Sequence, residues 1–422
     1  TGTEIRFSDS GITSAASDGV EIAGTALTIK ESGTYLLSGT CADGSIKVKK
    51  GTTGVTLVLN GLTLTSETTA PIICAKSTEV SIVAAANTEN TLTDTENNNT
   101  DAGGAEAENA VIKCKDGSAV TLCGTGTLNV IANGKNGIKS GASTESEGGA
   151  SLTIRELTLN ITAPVNDAVN AEAALNVESG TLTIAAGDDA LHCDNAMNIG
   201  AESTAGPSIT ISTCCEGLEG AAVNIYSGDV SIAATDDCIN AANPSLSGYS
   251  DALNISGGTI VAYTTSGDGF DSNGDITISG GTVAVWTANA ADNSPLDADG
   301  TVTISGGNIT ARGGSSDNPN AICGAGIGGG GGFGNATVTI GSTSGMMGGK
   351  GSRMGGQMQP PDMQNFDGQN IEKPDFEKPD TQNMPGQDFG GFGSAASLMA
   401  ENTAFSILDA QGNTLYSGTA RC

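Results

Sequence analysis

The chain has 422 residues, with 17 basic against 47 acidic side chains and a formal charge of -30. That balance repels phosphate backbones and anionic membranes, which excludes nucleic-acid binding, and no stretch reaches the ~18 apolar residues of a membrane span. Hydrophobic residues make up 37%, mostly small ones beside 62 glycines and only 14 aromatics; such residues fill a core one side chain deep better than a wide globular one.

From residue 1 to about 130 the chain reads as short strands: ALTIK, GTYLLSG, GSIKVKK, VTLVLNGLTLTS, VSIVAAAN and AVTLCGTGTLNVIA. Apolar and polar residues alternate, β-branched residues are common, and glycine-containing turns separate the runs. The acidic, Asn/Thr-rich stretch from Asn87 to Asn109 reads as an exposed loop that interrupts them.

From about 131 to 312 one phrase returns: an acidic or amide turn, one apolar anchor, a second acidic turn, then a Thr/Ser strand. The anchors are Ile138, Val169, Leu191, Leu218, Ile239, Phe270 and Leu296, at steps of 31, 22, 27, 21, 31 and 26 residues. A loose period in the twenties, built of strands without helices, predicts an all-β solenoid in which each coil stacks on the last. The anchors then form one internal column, and the flanking carboxylates form columns of their own. The final strands, ISGGTIVAYT, ISGGTVAVWT and ISGGNITARG, carry Gly-Gly pairs suited to a corner too tight for a Cβ.

These divisions predict a β-helix over 1–341, a Met/Gly/Pro/Gln-rich low-complexity segment over 342–394, and a strand pair over 395–422. The strand pair is expected to return to the solenoid or to a neighbouring subunit. The biased segment buries too little apolar surface to order itself. Thr1 reads as a mature or trimmed start with no signal peptide before it.

Ten cysteines and one histidine fit an exported protein better than a zinc protein. Cys74 and Cys114 occupy equivalent places in IICAKSTEVSI and VIKCKDGSAVTL, and Cys193 with Cys214 or Cys215 is the next candidate pair. Disulfides and buried free thiols are both open readings.

Several of these phrases also resemble a known family. GTYLLSGTCADGSIKVKKGTTGVTLVLNGLTLTS, NTENTLTD, DDALHCD, DDCINA, GDGFDSNG and the ISGGT repeats are similar to those of secreted bacterial carbohydrate-binding domain-containing proteins, over roughly residues 3 to 341. The resemblance implies a right-handed parallel β-helix with the pectate-lyase type of fold. It also implies calcium and polysaccharide binding without catalysis, at an extracellular or cell-surface location.

Calcium takes six to eight hard oxygen ligands, and the coil corners offer them in clusters. Asp188, Asp189 and Asp194 form one; Asp236, Asp237 and Asn240 the next; then Asp268, Asp271, Asn273 and Asp275; then Asp297 and Asp299. Carried over from the family, Asp236, Asp237, Asp268 and Asp271 come first. The bland alternative is that these residues close their own Asx turns.

Aligning the ISGG strands places Ile260 and Ala262, Val283 and Val285, and Ile309 and Ala311 inward. Tyr263, Trp286 and Arg312 then form an outward ladder for sugar rings and hydroxyls, or equally an interface contact. The chain's single Trp lies here.

Catalysis is the weakest reading. The bases of the regular coils, Arg155, Arg312, Lys135 and Lys139, fall outside the strongest Asp clusters, and His192 reads as a coil residue rather than a base. The alternative to glycan binding is a self-assembling filament or sheath subunit, because open solenoid ends expose unpaired strand edges.

Overall fold

The computed structural model describes residues 2–15, 18–243, 251–288, 290 and 293–314 in full. Beyond these it describes the backbone of strands Ile322–Cys323, Gly326–Ile327, Thr337–Ser342, Ala404–Leu408 and Thr414–Thr419. The chain divides into two units, Thr1–Thr343 and Ser344–Cys422. The second contains the antiparallel pair Ala404–Leu408 and Thr414–Thr419. The segment expected at 342–394 lies outside the described residues beyond Ser342.

The first unit is a parallel β-helix whose coils present three faces. One internal column runs through the first face: Leu27, Ile46, Ile72, Ile112, Ile138, Val169, Leu191, Leu218, Ile239, Phe270 and Leu296 are successive register partners. All eleven are buried. Because side chains alternate along a strand, keeping one apolar residue over its counterpart fixes the register of every coil.

The third face contains Thr259–Thr264, Thr282–Trp286 and Asn308–Gly313, whose inward residues Ile260, Ala262, Val283, Val285, Ile309 and Ala311 are buried as expected. Its corner is turned by the Gly-Gly pairs. Gly258 has φ 85°, and a Cβ on Gly257 would lie 2.3 Å from the carbonyl oxygen of Tyr226, so only glycine fits there.

The second face carries an uncharged outward column: Thr34, Thr56, Ser81, Thr121, Thr153, Asn176, Asn198, Asn224, Asn254, Thr277 and Thr303. Within it the amides hydrogen-bond from coil to coil. Asn254 Nδ2 donates to Asn224 Oδ1 at 3.0 Å, Asn224 Nδ2 to Asn198 Oδ1 at 3.1 Å, and Asn198 Nδ2 to Asn176 Oδ1 at 2.9 Å.

Two expectations change. Part of Asn87–Asn109 is a strand, Glu89–Asp94, and Asn90, Asp94 and Asn98 are fully buried. These polar side chains go inside because they satisfy backbone donors of neighbouring coils. Asn90 Oδ1 accepts from Gly61 and Leu62, and Asp94 Oδ1 accepts from Asn133 and Gly134. At the N-terminal end, Thr3–Ser8 pairs antiparallel with Gly11–Ser14, and Val20–Ala23 with Ala26–Ile29. These hairpins add antiparallel strands where the coils that follow pair in parallel.

Among the cysteines, Cys74 and Cys114 are register partners, buried and in thiol–thiol contact. Cys193 faces Gly220 across the ladder, each two residues after its anchor, Leu191 or Leu218, whereas Cys214 and Cys215 lie before Leu218. All eight described cysteines are free thiols.

Candidate functional site

The corner preceding the first face holds a column of acids two residues before each anchor from Val169 to Phe270: Asp167, Asp189, Glu216, Asp237 and Asp268. Backbone bonds connect successive members: Gly137 N–H donates to the Asp167 carbonyl, Ala168 to Asp189, Ala190 to Glu216, Gly217 to Asp237, and Cys238 to Asp268. A second column lies one residue after the anchors, with Lys113, Lys139, Asn170, His192, Glu219, Asn240 and Asp271 in register. Asp297 follows Leu296 at the equivalent place on the next coil. Together they make an acidic ribbon, with rungs about 4.8 Å apart. Its second column begins basic and ends acidic.

Besides Lys113, positive charge is supplied at two points. Lys139 Nζ donates to Asn170 Oδ1 at 3.0 Å and lies 3.5 Å from Glu172. His192 contacts three carboxylates: Nδ1 meets Glu219 and lies 3.4 Å from Asp189, and Nε2 lies 2.9 Å from Asp194. Burial opposes charging this ring, but Asp189, Asp194 and Glu219 outweigh it and push its pKa up to about 12, so His192 is a resident imidazolium.

Beyond Glu219 the acids face one another. Burial, then repulsion from Asp237 and Asp297, pushes Asp268 up to about 8. Burial together with Asp271, Asp236 and Asp297 pushes Asp237 up to about 7. Glu216 rises to about 8 through burial and its neighbours Glu219 and Asp189, and Asp271 to about 6 through burial and Asp297.

Amid these acids Asn240 donates its Nδ2 to both oxygens of Glu216 at 3.2 Å, while its Oδ1 is buried without any donor. An orphaned amide oxygen among crowded carboxylates is the donor set of a hard divalent cation. Among the described residues, two groups bring three potential ligand atoms within 4.8 Å of one another: Asp167, Asp188 and Asp189, and Asp189, His192 and Glu219.

On the third face Tyr263, Trp286 and Arg312 occupy one outward column on three consecutive coils, each half-buried. Ala233 precedes Tyr263 in that column and Gly341 follows Arg312, so small residues bound it at both ends.

The family model of the carbohydrate-binding domain-containing protein matches residues 23–321. The chain belongs to this family. It is similar to a carbohydrate-binding domain-containing protein of Acetivibrio thermocellus, 35% identical over 122 residues, which is 29% of this chain and 42% of that relative's length. Among solved structures it is similar to a polysaccharide lyase-like protein from C. thermocellum, studied as a gadolinium derivative. That likeness has 22% identity and a TM-score of 0.40, over 81% of this chain and 100% of that one. The fold is therefore read from this family member's own strand register.

The expected acids separate into different surroundings. Asp189 and Asp297 are buried; Asp237, Asp268 and Asp271 are half-buried; Asp188, Asp236 and Asp299 are exposed; and Asp194 caps the His192 ring. Asp236, Asp237, Asp268 and Asp271, expected first, belong to neither three-ligand group. Asp167, Glu216, Glu219 and His192 were missed as ribbon members. The repeated phrase held the signal, since Asp167 in NDAV and Glu216 in EGLE share their offset from the anchor with Asp189 and Asp237, and Glu219 shares its offset with Asp271.

Proposed function

We propose that this is an exported, non-catalytic polysaccharide-binding β-helix whose acidic ribbon is neutralised by calcium. The stacking of Tyr263, Trp286 and Arg312 on consecutive coils, in a chain of the carbohydrate-binding domain family, carries the reading. Aromatic rings offer faces to the C–H side of sugar rings, and a guanidinium donates to hydroxyls or to a uronate. Calcium would be held by Asn240 Oδ1 with neighbouring carboxylates, along Asp237, Asp268, Asp271 and Asp297, and at Asp167, Asp188 and Asp189, where three carboxylates converge. It would supply the positive charge that lets these acids ionise together.

A pull-down on insoluble polysaccharides, with calcium or with EGTA, tests this. Retention is expected in calcium and is weakened by Trp286→Ala. A protein held by no glycan in calcium removes the reading.

A further inference from the structure

Resting on the polysaccharide-binding reading, we infer a second subsite, on the second face, that takes an uncharged polysaccharide chain. A cleft of about 600 Å³ opens there, floored by Asn176 and Asn198, walled by Thr204 and Ala205 of an exposed turn, and flanked by Tyr226 and Glu178. Its volume lies within the range of ligand-binding clefts.

The amide ladder gives the cleft its chemistry. Each asparagine from Asn254 to Asn198 donates one Nδ2 hydrogen to the Oδ1 of the coil before it, so the run is polarised in one direction and ends at Asn176. Asn176 Nδ2 and the Tyr226 hydroxyl make no hydrogen bond among the described residues. Donors at Asn176 and Tyr226, an acceptor at Glu178 and a tyrosine ring together match a sugar's hydroxyls and its C–H face.

Charge selects the class of sugar. No Lys or Arg lines the cleft, and Glu178 with a net charge of -30 repels uronates and phosphates. An apolar ligand would leave the amides unpaired. The uncharged column extends along the same face from Thr34 to Thr303, so a chain seated in the cleft finds hydroxyls and amides on successive rungs. The Tyr263, Trp286 and Arg312 ladder differs in face and carries a cation.

Affinity electrophoresis through hydroxyethylcellulose, galactomannan and polygalacturonate tests the subsite in the full chain. Wild type is expected to be retarded by at least one of the two neutral polymers. Tyr226→Ala should weaken that apparent affinity about tenfold, the worth of one aromatic contact. Ala205→Trp closes the cleft from an exposed position that leaves the core untouched, and should do the same. Neutral-polymer binding that survives both cleft variants overturns the subsite and leaves polysaccharide binding standing. Retardation by polygalacturonate alone also overturns it. No retardation of wild type in any gel overturns both.

Discussion

Asn240 and Glu216 face each other across one coil step, with Asn240 Nδ2 3.2 Å from both carboxylate oxygens and Asn240 Oδ1 buried without a donor. That oxygen is a ready ligand. Calcium at about 100 times its Kd should add roughly 2.7 kcal/mol to stability. Asn240→Leu keeps the volume and removes the ligand, and should weaken calcium at least about tenfold. Calorimetric titration of the two proteins checks this; equal affinities would place the ion elsewhere.

The acids set a pH dependence whose sign changes with calcium. Asp167 and Asp271 titrate near 6, Asp237 near 7, and Glu216 and Asp268 near 8, each raised first by burial. Unfolded carboxyls titrate near about 4. From about pH 4 to pH 8 the folded state therefore holds more protons than the unfolded chain, and stability falls as pH rises through that window. In EGTA the melting temperature should be highest in mild acid and decline toward pH 8. The increment added by calcium should run the other way, because protons compete for its ligands. Melts across the range with and without calcium measure both slopes, and a metal-free melting temperature that climbs with pH contradicts the assignment.

His192 stands where the neighbouring coils place Asn170 and Glu219, and its ring contacts Asp189, Asp194 and Glu219. His192→Gln leaves those carboxylates without their cation. Breaking such a half-buried group should cost roughly 3–5 kcal/mol. Added calcium should raise the variant's melting temperature more than it raises wild type's. A variant as stable as wild type in EGTA would show that the imidazolium does not neutralise the ribbon.

Much of the fold was legible because one requirement repeats. An apolar residue must lie over its counterpart, so Ile138, Leu191 and Phe270 announce a column whatever the loop lengths between them. Glu89–Asp94 was less legible, since Asn90 and Asp94 look exposed until the backbone donors of Gly61 and Gly134 are in place beside them. The ribbon was half legible. Asp doublets draw attention, whereas single acids such as Asp167 and Glu219 acquire meaning only from the register that stacks them. The pairing of Cys193 failed for the same reason: with Leu218 over Leu191, Gly220 falls opposite Cys193, and Cys214 and Cys215 lie before that anchor.

Cys74 and Cys114 are in register on neighbouring coils with their thiols in contact. Adjacent parallel strands set their Cα atoms about 4.8 Å apart, inside the span of disulfides. Refolding in a glutathione redox buffer should therefore join them. Mass spectrometry of a non-reduced digest should find the Cys74–Cys114 peptide pair; both thiols alkylated in the refolded protein would refute the prediction.

Polysaccharide binding without cleavage is tested most directly by incubating the calcium-loaded protein with a panel of polysaccharides, measuring its retention and analysing the polymer afterwards. The account predicts retention on at least one polysaccharide, weakened by Trp286→Ala, with polymer length unchanged. Shortened polymer, or no retention on any of them, would contradict it.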